Sequence, residues 1–371
     1  MKSLIMSQIE KSHKAYVSDM AFIPGGVKVD KKSDNKGLSE HFITVSEDGW
    51  LCIWDGRPIR KEKIKELESV GKSVAWTPFL QLQLFRLDGS PDLGLSKVLF
   101  EPGQTSTTFW AGSFEGELLK IDWSVKAGKA EGEGHEVKAE NVRVYYDKER
   151  NFRPVLVVER SPFYPDLIMT VHDFNFCIWN TSLPFPENTT PIFRSANTFG
   201  SHNTCGGFSP SRPGVIFITK TDSIDVWDFY DQSNKASITL AIPTSSISYF
   251  RIQNIVEKKG KKGSKERVIE YMAYGELNEQ NAGSCTLTEV PPNLSKPQEN
   301  EKDIIRRFWE REHEKCDYVR ERKATITAEV EEKSKLEAIR KAKEEATKDL
   351  PADAEKEEWE RENELYLDLF Y

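Results

Sequence analysis

At 371 residues the chain can hold one large repeat domain with an appendage, or two ordinary domains. Its 52 Lys and Arg face 60 Asp and Glu, and the acidic excess is local: residues 299–371 carry 16 basic and 23 acidic side chains, a net of −7 out of −8 for the whole chain. The nearly neutral body gives no overall attraction to nucleic acid, and no apolar run approaches the roughly 18–20 residues that cross a membrane. Cys52, Cys177, Cys205, Cys285 and Cys316 are odd in number, scattered and without a CxxC pair. The opening Met1-Lys2-Ser3-Leu4-Ile5-Met6 turns polar at Ser7-Gln8 before a leader core could form. A reducing, soluble setting is the expectation, and the glycosylation-type triplets at Asn180, Asn188 and Asn293 are read as chance.

In chain order, a first strand is predicted over 17–22 and a second over 42–45. Then comes Glu47-Asp48-Gly49-Trp50-Leu51-Cys52-Ile53-Trp54-Asp55, a polar turn followed by an alternating apolar strand that ends on Trp and a polar residue. The unit returns as Glu115-Gly116-Glu117-Leu118-Leu119-Lys120-Ile121-Asp122-Trp123, as Asp173-Phe174-Asn175-Phe176-Cys177-Ile178-Trp179-Asn180 and as Asp222-Ser223-Ile224-Asp225-Val226-Trp227-Asp228. Recurrence of this spelling is the mark of an all-β WD-repeat β-propeller, whose blades take about 40–45 residues each. The Trp steps are longer than that, so insertions are expected at the charged run 61–66 and the Gly/Glu-rich run 127–134.

Earlier strands of the blades are legible at 155–158 and 206–208, each running into Ser-Pro (Ser161-Pro162 and Ser209-Pro210), and at 215–219. A fifth unit without its Trp runs through 247–250, 269–273 and 285–287. Five blades are thus visible. Either they close on themselves, or the chain is the C-terminal part of a longer seven- or eight-bladed propeller; the second is the expectation, because an unclosed propeller leaves exposed edges.

Pro291-Pro292 and Pro297 interrupt the pattern, and a charged helix is predicted from about 303 to 350, with a second over 354–368 before the apolar terminus Leu367-Asp368-Leu369-Phe370-Tyr371. The expected organisation is propeller blades over 1–292, a linker over 293–302 and a charged helical tail over 303–371. Ile304, Ile305, Phe308, Trp309, Cys316 and Val319 fall at helical spacing, and the stripe thins to Ile326, Val330, Leu336 and Ile339. Its first turns are expected to fold back on the propeller and the remainder to form a partner-binding arm. The candidate partner-binding residues are Ile305, Phe308, Trp309, Tyr318 and Val319. Truncation near residue 300 is expected to weaken assembly and leave the propeller folded.

No catalytic pattern survives inspection. Gly71-Lys72-Ser73 lacks the first glycine of a P-loop, since Glu66 stands there, and neither GxSxG nor HExxH occurs. His202 and Cys205 have no second pair to complete a zinc site, so no metal and no cofactor are expected. A hydrolytic propeller would need a repeated set of Asp and His around its axis, and none is present. Trp54, Trp123, Trp179 and Trp227 are read as blade-core residues whose rings pack and whose N–H groups find partners. Asp55 and Asp228 are read with them as structural blade residues, while Asp48, Asp222, His13 and His202 are read as polar groups that tie blades together. The basic run Lys258-Lys259-Gly260-Lys261-Lys262-Gly263-Ser264-Lys265 is read as a solvated loop, with contact to an acidic surface as its functional alternative.

Several strings in order resemble one family. They are Ser12-His13-Lys14, then Arg160-Ser161-Pro162-Phe163-Tyr164-Pro165-Asp166-Leu167-Ile168-Met169-Thr170-Val171, then Ser211-Arg212-Pro213-Gly214-Val215. After the last blade come Leu294-Ser295-Lys296-Pro297, Phe308-Trp309-Glu310-Arg311-Glu312 and Tyr318-Val319-Arg320-Glu321-Arg322-Lys323. This pattern resembles the axonemal dynein intermediate chains, and within them the inner-arm type of the two-headed dynein. The resemblance implies a non-catalytic subunit of the ciliary or flagellar axoneme with a cytoplasmic pre-assembly pool. Its implied partners are dynein heavy chains and a second WD-repeat intermediate chain, with no nucleic acid and no membrane. Light chains would bind through an N-terminal segment that the family carries and this sequence does not show. The alternative is a WD scaffold for ciliary or cytosolic complexes without a motor.

Overall fold

In the computed structural model, the described residues are 6–29, 37–57, 76–86, 89–90, 93–124, 135–137, 142–146, 153–182, 189–198, 200–242, 246–257, 267–277, 283–348 and 352–368. The predicted loops at 61–66 and 127–134, the Gly71-Lys72-Ser73 stretch, Asn188, the basic run 258–265 and the terminal Leu369-Phe370-Tyr371 lie outside them. Two compact units are present, Met1–Trp309 and Glu310–Tyr371.

The first unit is a partial β-propeller of five antiparallel blades. Blade 1 contains β1 (Val17–Phe22), β2 (His41–Ser46), β3 (Trp50–Asp55) and β4 (Leu80–Leu84). Blade 2 contains β5 (Leu95–Leu99), β6 (Thr108–Ser113), β7 (Leu118–Asp122) and β9 (Val142–Tyr145), while the intervening β8 (His135–Val137) adds in parallel to β4 of blade 1. Blade 3 runs from β10 (Val155–Arg160) through β11 (Leu167–His172) and β12 (Phe176–Asn180) to β13 (Phe193–Arg194). Blade 4 follows with β14 (Asn203–Phe208), β15 (Val215–Lys220), β16 (Ser223–Asp228) and β17 (Ile238–Ala241). Blade 5 has three described strands, β18 (Ser246–Glu257), β19 (Arg267–Leu277) and β20 (Gly283–Glu289).

Alternation in the strands supplies each blade with two apolar faces, and successive blades share the cores between them. Ile43, Leu51 and Ile53 of blade 1 meet Phe109, Leu119 and Ile121 of blade 2. Trp110 and Leu118 meet Ile168 and Trp179 between blades 2 and 3. Phe176 and Ile178 meet Ile216 and Trp227 between blades 3 and 4, and Phe217 and Val226 meet Phe250 and Met272 between blades 4 and 5. At the two ends of this series the apolar residues face outward, Met20 and Phe22 on blade 1 and Tyr249 and Leu287 on blade 5.

One local device recurs in all five blades. The register of the inner strand slips at 17/19, 95/97, 155/157, 203/205 and 247/249, leaving one bulged residue each time: Ser18, Ser96, Leu156, Thr204 and Ser248. Two of these hydroxyls reach the next blade, Ser18 Oγ donating to Leu95 O at 2.5 Å and Ser96 Oγ to Val155 O at 2.7 Å. Carboxylates of the inner strands do the same as acceptors: Asp19 takes Val98 N–H at 3.0 Å and Glu159 takes Phe208 N–H at 3.0 Å. The five inner strands surround a cavity of about 500 Å³.

A polar residue after the Trp position closes the third strand by an Asx turn. Asp55, Asp122, Asn180 and Asp228 each accept the backbone N–H two residues on, at 2.9, 3.0, 3.1 and 3.0 Å. This equivalence corrects one expectation. Asp122 matches Asp55, so the slot of Trp54 is filled in blade 2 by Ile121, and Trp123 sits two residues further along the same face. Trp123 packs in the blade 1–2 core, but its indole N–H has no hydrogen-bond partner among the described residues.

The C-terminal boundary also moves. After blade 5 the chain forms a short α1 (Pro292–Ser295) and then α2 (Glu301–Lys348), with α3 (Ala352–Asp368) following. The residues expected as linker and first tail turns, up to Trp309, belong to the propeller unit. The physical reason is burial: Leu294, Glu301, Ile305 and Trp309 are all inside it.

Candidate partner-binding surface

Two loops with the same spelling build the most elaborate polar site in the propeller. Ser161-Pro162-Phe163-Tyr164-Pro165-Asp166-Leu167 joins β10 to β11, and Ser209-Pro210-Ser211-Arg212-Pro213-Gly214-Val215 joins β14 to β15. In each, the serine hydroxyl accepts backbone N–H groups two and three residues on: Phe163 and Tyr164 from Ser161, Ser211 and Arg212 from Ser209. The prolines fix the remaining turn, so Tyr164 and Arg212 are presented at equivalent positions of adjacent blades.

Both hold the first turn of α2. Tyr164 Oη donates to Lys302 O at 2.6 Å. The Arg212 guanidinium, 2 % exposed, donates from Nε to both carboxylate oxygens of Glu301 at 3.1 Å, and Glu301 is 1 % exposed. A terminal nitrogen of Arg212 lies 2.8 Å from Asp228 Oδ2, and the same nitrogen donates to Asn293 O at 3.1 Å. Burial alone would lower the Arg212 pKa, but Glu301 and Asp228 reverse this and raise it. Burial pushes the Tyr164 phenol up to about 12, so it stays a donor. Glu301, an acidic residue in the first turn of the helix, also ties down the preceding chain by accepting Gln298 N–H at 2.7 Å.

Apolar contacts complete the seat. Ile305 packs against Gly214, where an added Cβ would lie 2.8 Å from Ile305 Cδ1, so glycine there makes room for the helix. Trp309 packs edge-on against Phe193 and Phe229, and Phe308 lies on Phe229. Of the five residues expected to face a partner, Ile305 and Trp309 are therefore in the propeller's own core and Phe308 is half-buried against it. Tyr318 and Val319 are exposed in the second unit. Along 310–320 Glu312 is buried and His313, Cys316, Asp317 and Arg320 are half-buried, while every α2 side chain over 321–343 is exposed. Acid–base pairs at helical spacing such as Glu312–Lys315 and Asp317–Arg320 line the helix.

The blade residues divide in the same way. In blade 1 the Trp54 indole donates to Thr44 Oγ1 at 2.8 Å, His13 Nε2 lies 2.9 Å from that hydroxyl, and His13 Nδ1 lies 3.3 Å from Asp48. Asp48 also accepts the N–H groups of Lys14 and Trp50, which pins the N-terminal segment to the β2–β3 turn. Blade 3 keeps part of this chain: Trp179 donates to Thr170 Oγ1 at 2.8 Å, and His172 Nε2 sits 3.0 Å from it. Asp222 and His202 do not form such a link: Asp222 accepts from its neighbour Ser223, and His202 stacks near Phe174. No group of three or more His, Cys, Asp or Glu poised for a metal occurs among the described residues, and no helix among them is long and apolar enough to cross a membrane.

The sequence offered no direct sign of Arg212 as an anchor, because its partners lie at 228, 293 and 301. The available sign was the repetition of Ser-Pro-x-x-Pro in two consecutive blades.

Residues 90–261, which hold blades 2 to 4 and the first strand of blade 5, match the family model described as the Dynein axonemal intermediate chain 3 WD40 domain. The match supports a WD-repeat axonemal dynein intermediate chain. It is 25 % identical to Dynein axonemal intermediate chain 3 of Macaca fascicularis over 94 % of its own length and 44 % of that relative. The human protein of the same name is 24 % identical over 86 % of this chain and 40 % of its own length. The 70 kDa intermediate chain of the flagellar outer arm of Chlamydomonas reinhardtii is 25 % identical over 57 % of this chain and 32 % of its own. The chain thus spans less than half the length of the relatives it matches. Both loops that seat α2 fall inside the matched WD region.

Proposed function

We propose that the chain is a non-catalytic intermediate chain of an axonemal inner-arm dynein, and that it binds the heavy-chain tail through its propeller and its helical tail. The observation that carries this reading is the contrast within α2. Its first turns are fastened into the blade 3–4 core through Arg212, Tyr164, Ile305 and Trp309, whereas its later side chains, Tyr318 and Val319 among them, stay exposed. A charged helix with so little apolar surface suits a broad polar interface with another helical element. The heavy chains, with a second WD-repeat intermediate chain beside them, are the proposed partners. The axoneme of a cilium or flagellum is the proposed location, with a cytoplasmic pool during pre-assembly. Light-chain binding would require a segment other than those described. The inner-arm choice rests on the post-propeller strings Phe308-Trp309-Glu310-Arg311-Glu312 and Tyr318-Val319-Arg320-Glu321-Arg322-Lys323.

The test is mass spectrometry of proteins captured with the tagged chain from detergent-extracted cilia. Recovery of a matched pair of heavy chains with a second WD subunit supports the proposal. Recovery of outer-arm heavy chains overturns the inner-arm choice, and recovery of no heavy chain reduces the protein to a scaffold without a motor.

A further inference from the structure

Blade 5 ends at Glu289, and from there the chain turns back along the propeller instead of leaving it. Val290 and Leu294 enter the core between blades 4 and 5. Ile305 and Trp309 then enter the core between blades 3 and 4. Residues 290–309 thus touch the two interfaces in reverse order, and Arg212 of blade 4 grips the segment at both Asn293 O and Glu301. We propose that this segment is a strap that holds blades 3, 4 and 5 together, with Arg212 as its lock.

The lock is also wired to blade 5. Ser209 Oγ, which accepts the Arg212 N–H, donates to the Glu270 carboxylate on β19 at 3.1 Å, and Ser211 Oγ donates to Asn254 Oδ1 on β18 at 3.0 Å. One loop therefore carries the strap lock on one side and the long β18–β19 hairpin on the other. Freeing the strap should loosen blade 5 as well as the site of the change. The assignment is independent of what α2 meets beyond residue 309.

Hydrogen exchange of the full chain, read by peptide mass spectrometry, tests it with Ile305→Ala. Ile305 packs between blades 3 and 4, so a merely local cavity would speed exchange there and leave blade 5 alone. The strap predicts an acceleration of about tenfold or more in β18 and β19 too, with β2, β3 and β6 of blades 1 and 2 within about twofold of wild type. Acceleration confined to β11, β12, β15 and β16 overturns the proposal, as does an equal rise in all five blades or no rise anywhere. Tyr164→Phe removes a single hydrogen bond and keeps the question answerable if Ile305→Ala fails to fold. Its smaller effect must follow the same pattern, blades 3 to 5 above blades 1 and 2.

Discussion

Blades 1 and 4 carry nearly the same third strand, ending Ile53-Trp54-Asp55 and Val226-Trp227-Asp228, yet they are held by different means. Blade 1 ties itself together with a local chain, Trp54 to Thr44 to His13 to Asp48. Its outward face leaves Met20 and Phe22 in solvent. Blade 4 buries Phe208 and half-buries Gly206 at the positions equivalent to Phe22 and Met20, and its Asp228 keeps the Asx turn through Oδ1 while Oδ2 pairs with Arg212. A repeat thus fixes the strand and its closing turn but leaves the second oxygen of that last carboxylate for use elsewhere. In blade 4 that use is to anchor a helix from another part of the chain.

The comparison can be broken first at Arg212. Arg212→Ala leaves Glu301 buried without its cation, and a loss of about 3–5 kcal/mol is expected, read as a lowered denaturation midpoint. Ile305→Ala, which deletes atoms from a sealed core, is expected to cost about 2–5 kcal/mol in the same assay. If either change proves neutral, the anchored half of the contrast is wrong.

Glu159, in the latch between blades 3 and 4, sharpens the contrast through pH. Burial raises its pKa to about 7, against the counteracting Phe208 amide and Arg251. The folded state therefore holds a proton that the unfolded state releases between about pH 4.5 and 7, so stability is full below that window and falls as pH rises through it. Glu159→Gln should flatten that fall and gain at most about 3 kcal/mol at pH 8, measured by urea titration across pH 5–8. A pH profile unchanged by the substitution would sink this assignment.

In blade 1, His13→Ala should cost only about 1–2 kcal/mol, because it removes hydrogen bonds and no core. The smallest effect belongs to Phe22→Ser, expected within about 0.5 kcal/mol since most of the ring is already in water and only an edge contact with Phe42 is lost. A large loss there would mean that the outward face of blade 1 is covered in the protein under test.

Much of this fold was legible in the sequence because its signals are local. The third strands announce themselves by Gly, Asn or Asp in the turn, by alternation and, in blades 1, 3 and 4, by Trp with a polar residue. The Asx turn after Asp55, Asn180 and Asp228 gives that polar residue a physical reason. The same rule shows why Trp123 misled: Asp122, one residue earlier, makes the turn. The bulges at Ser18, Ser96, Thr204 and Ser248 were missed because a lone Ser or Thr inside a strand carries no marker of extra length.

At the candidate site, helical spacing correctly grouped Ile305, Phe308 and Trp309 on one stripe. It could not say whether the stripe meets this chain or another, since that depends on Gly214, Phe193 and Phe229, far away in sequence. For the same reason a boundary near residue 300 looked natural from its prolines and charges. It would cut Glu301, Ile305 and Trp309 out of a packed core.

The most direct test compares two truncated chains, one ending at Trp309 and one at Asn300, by thermal unfolding and hydrogen exchange. The account predicts that the chain ending at Trp309 unfolds at the temperature of the full-length protein. The shorter chain should unfold earlier and lose protection in blades 3 to 5. Equal stability of the two would contradict the claim that the first turns of α2 are part of the propeller.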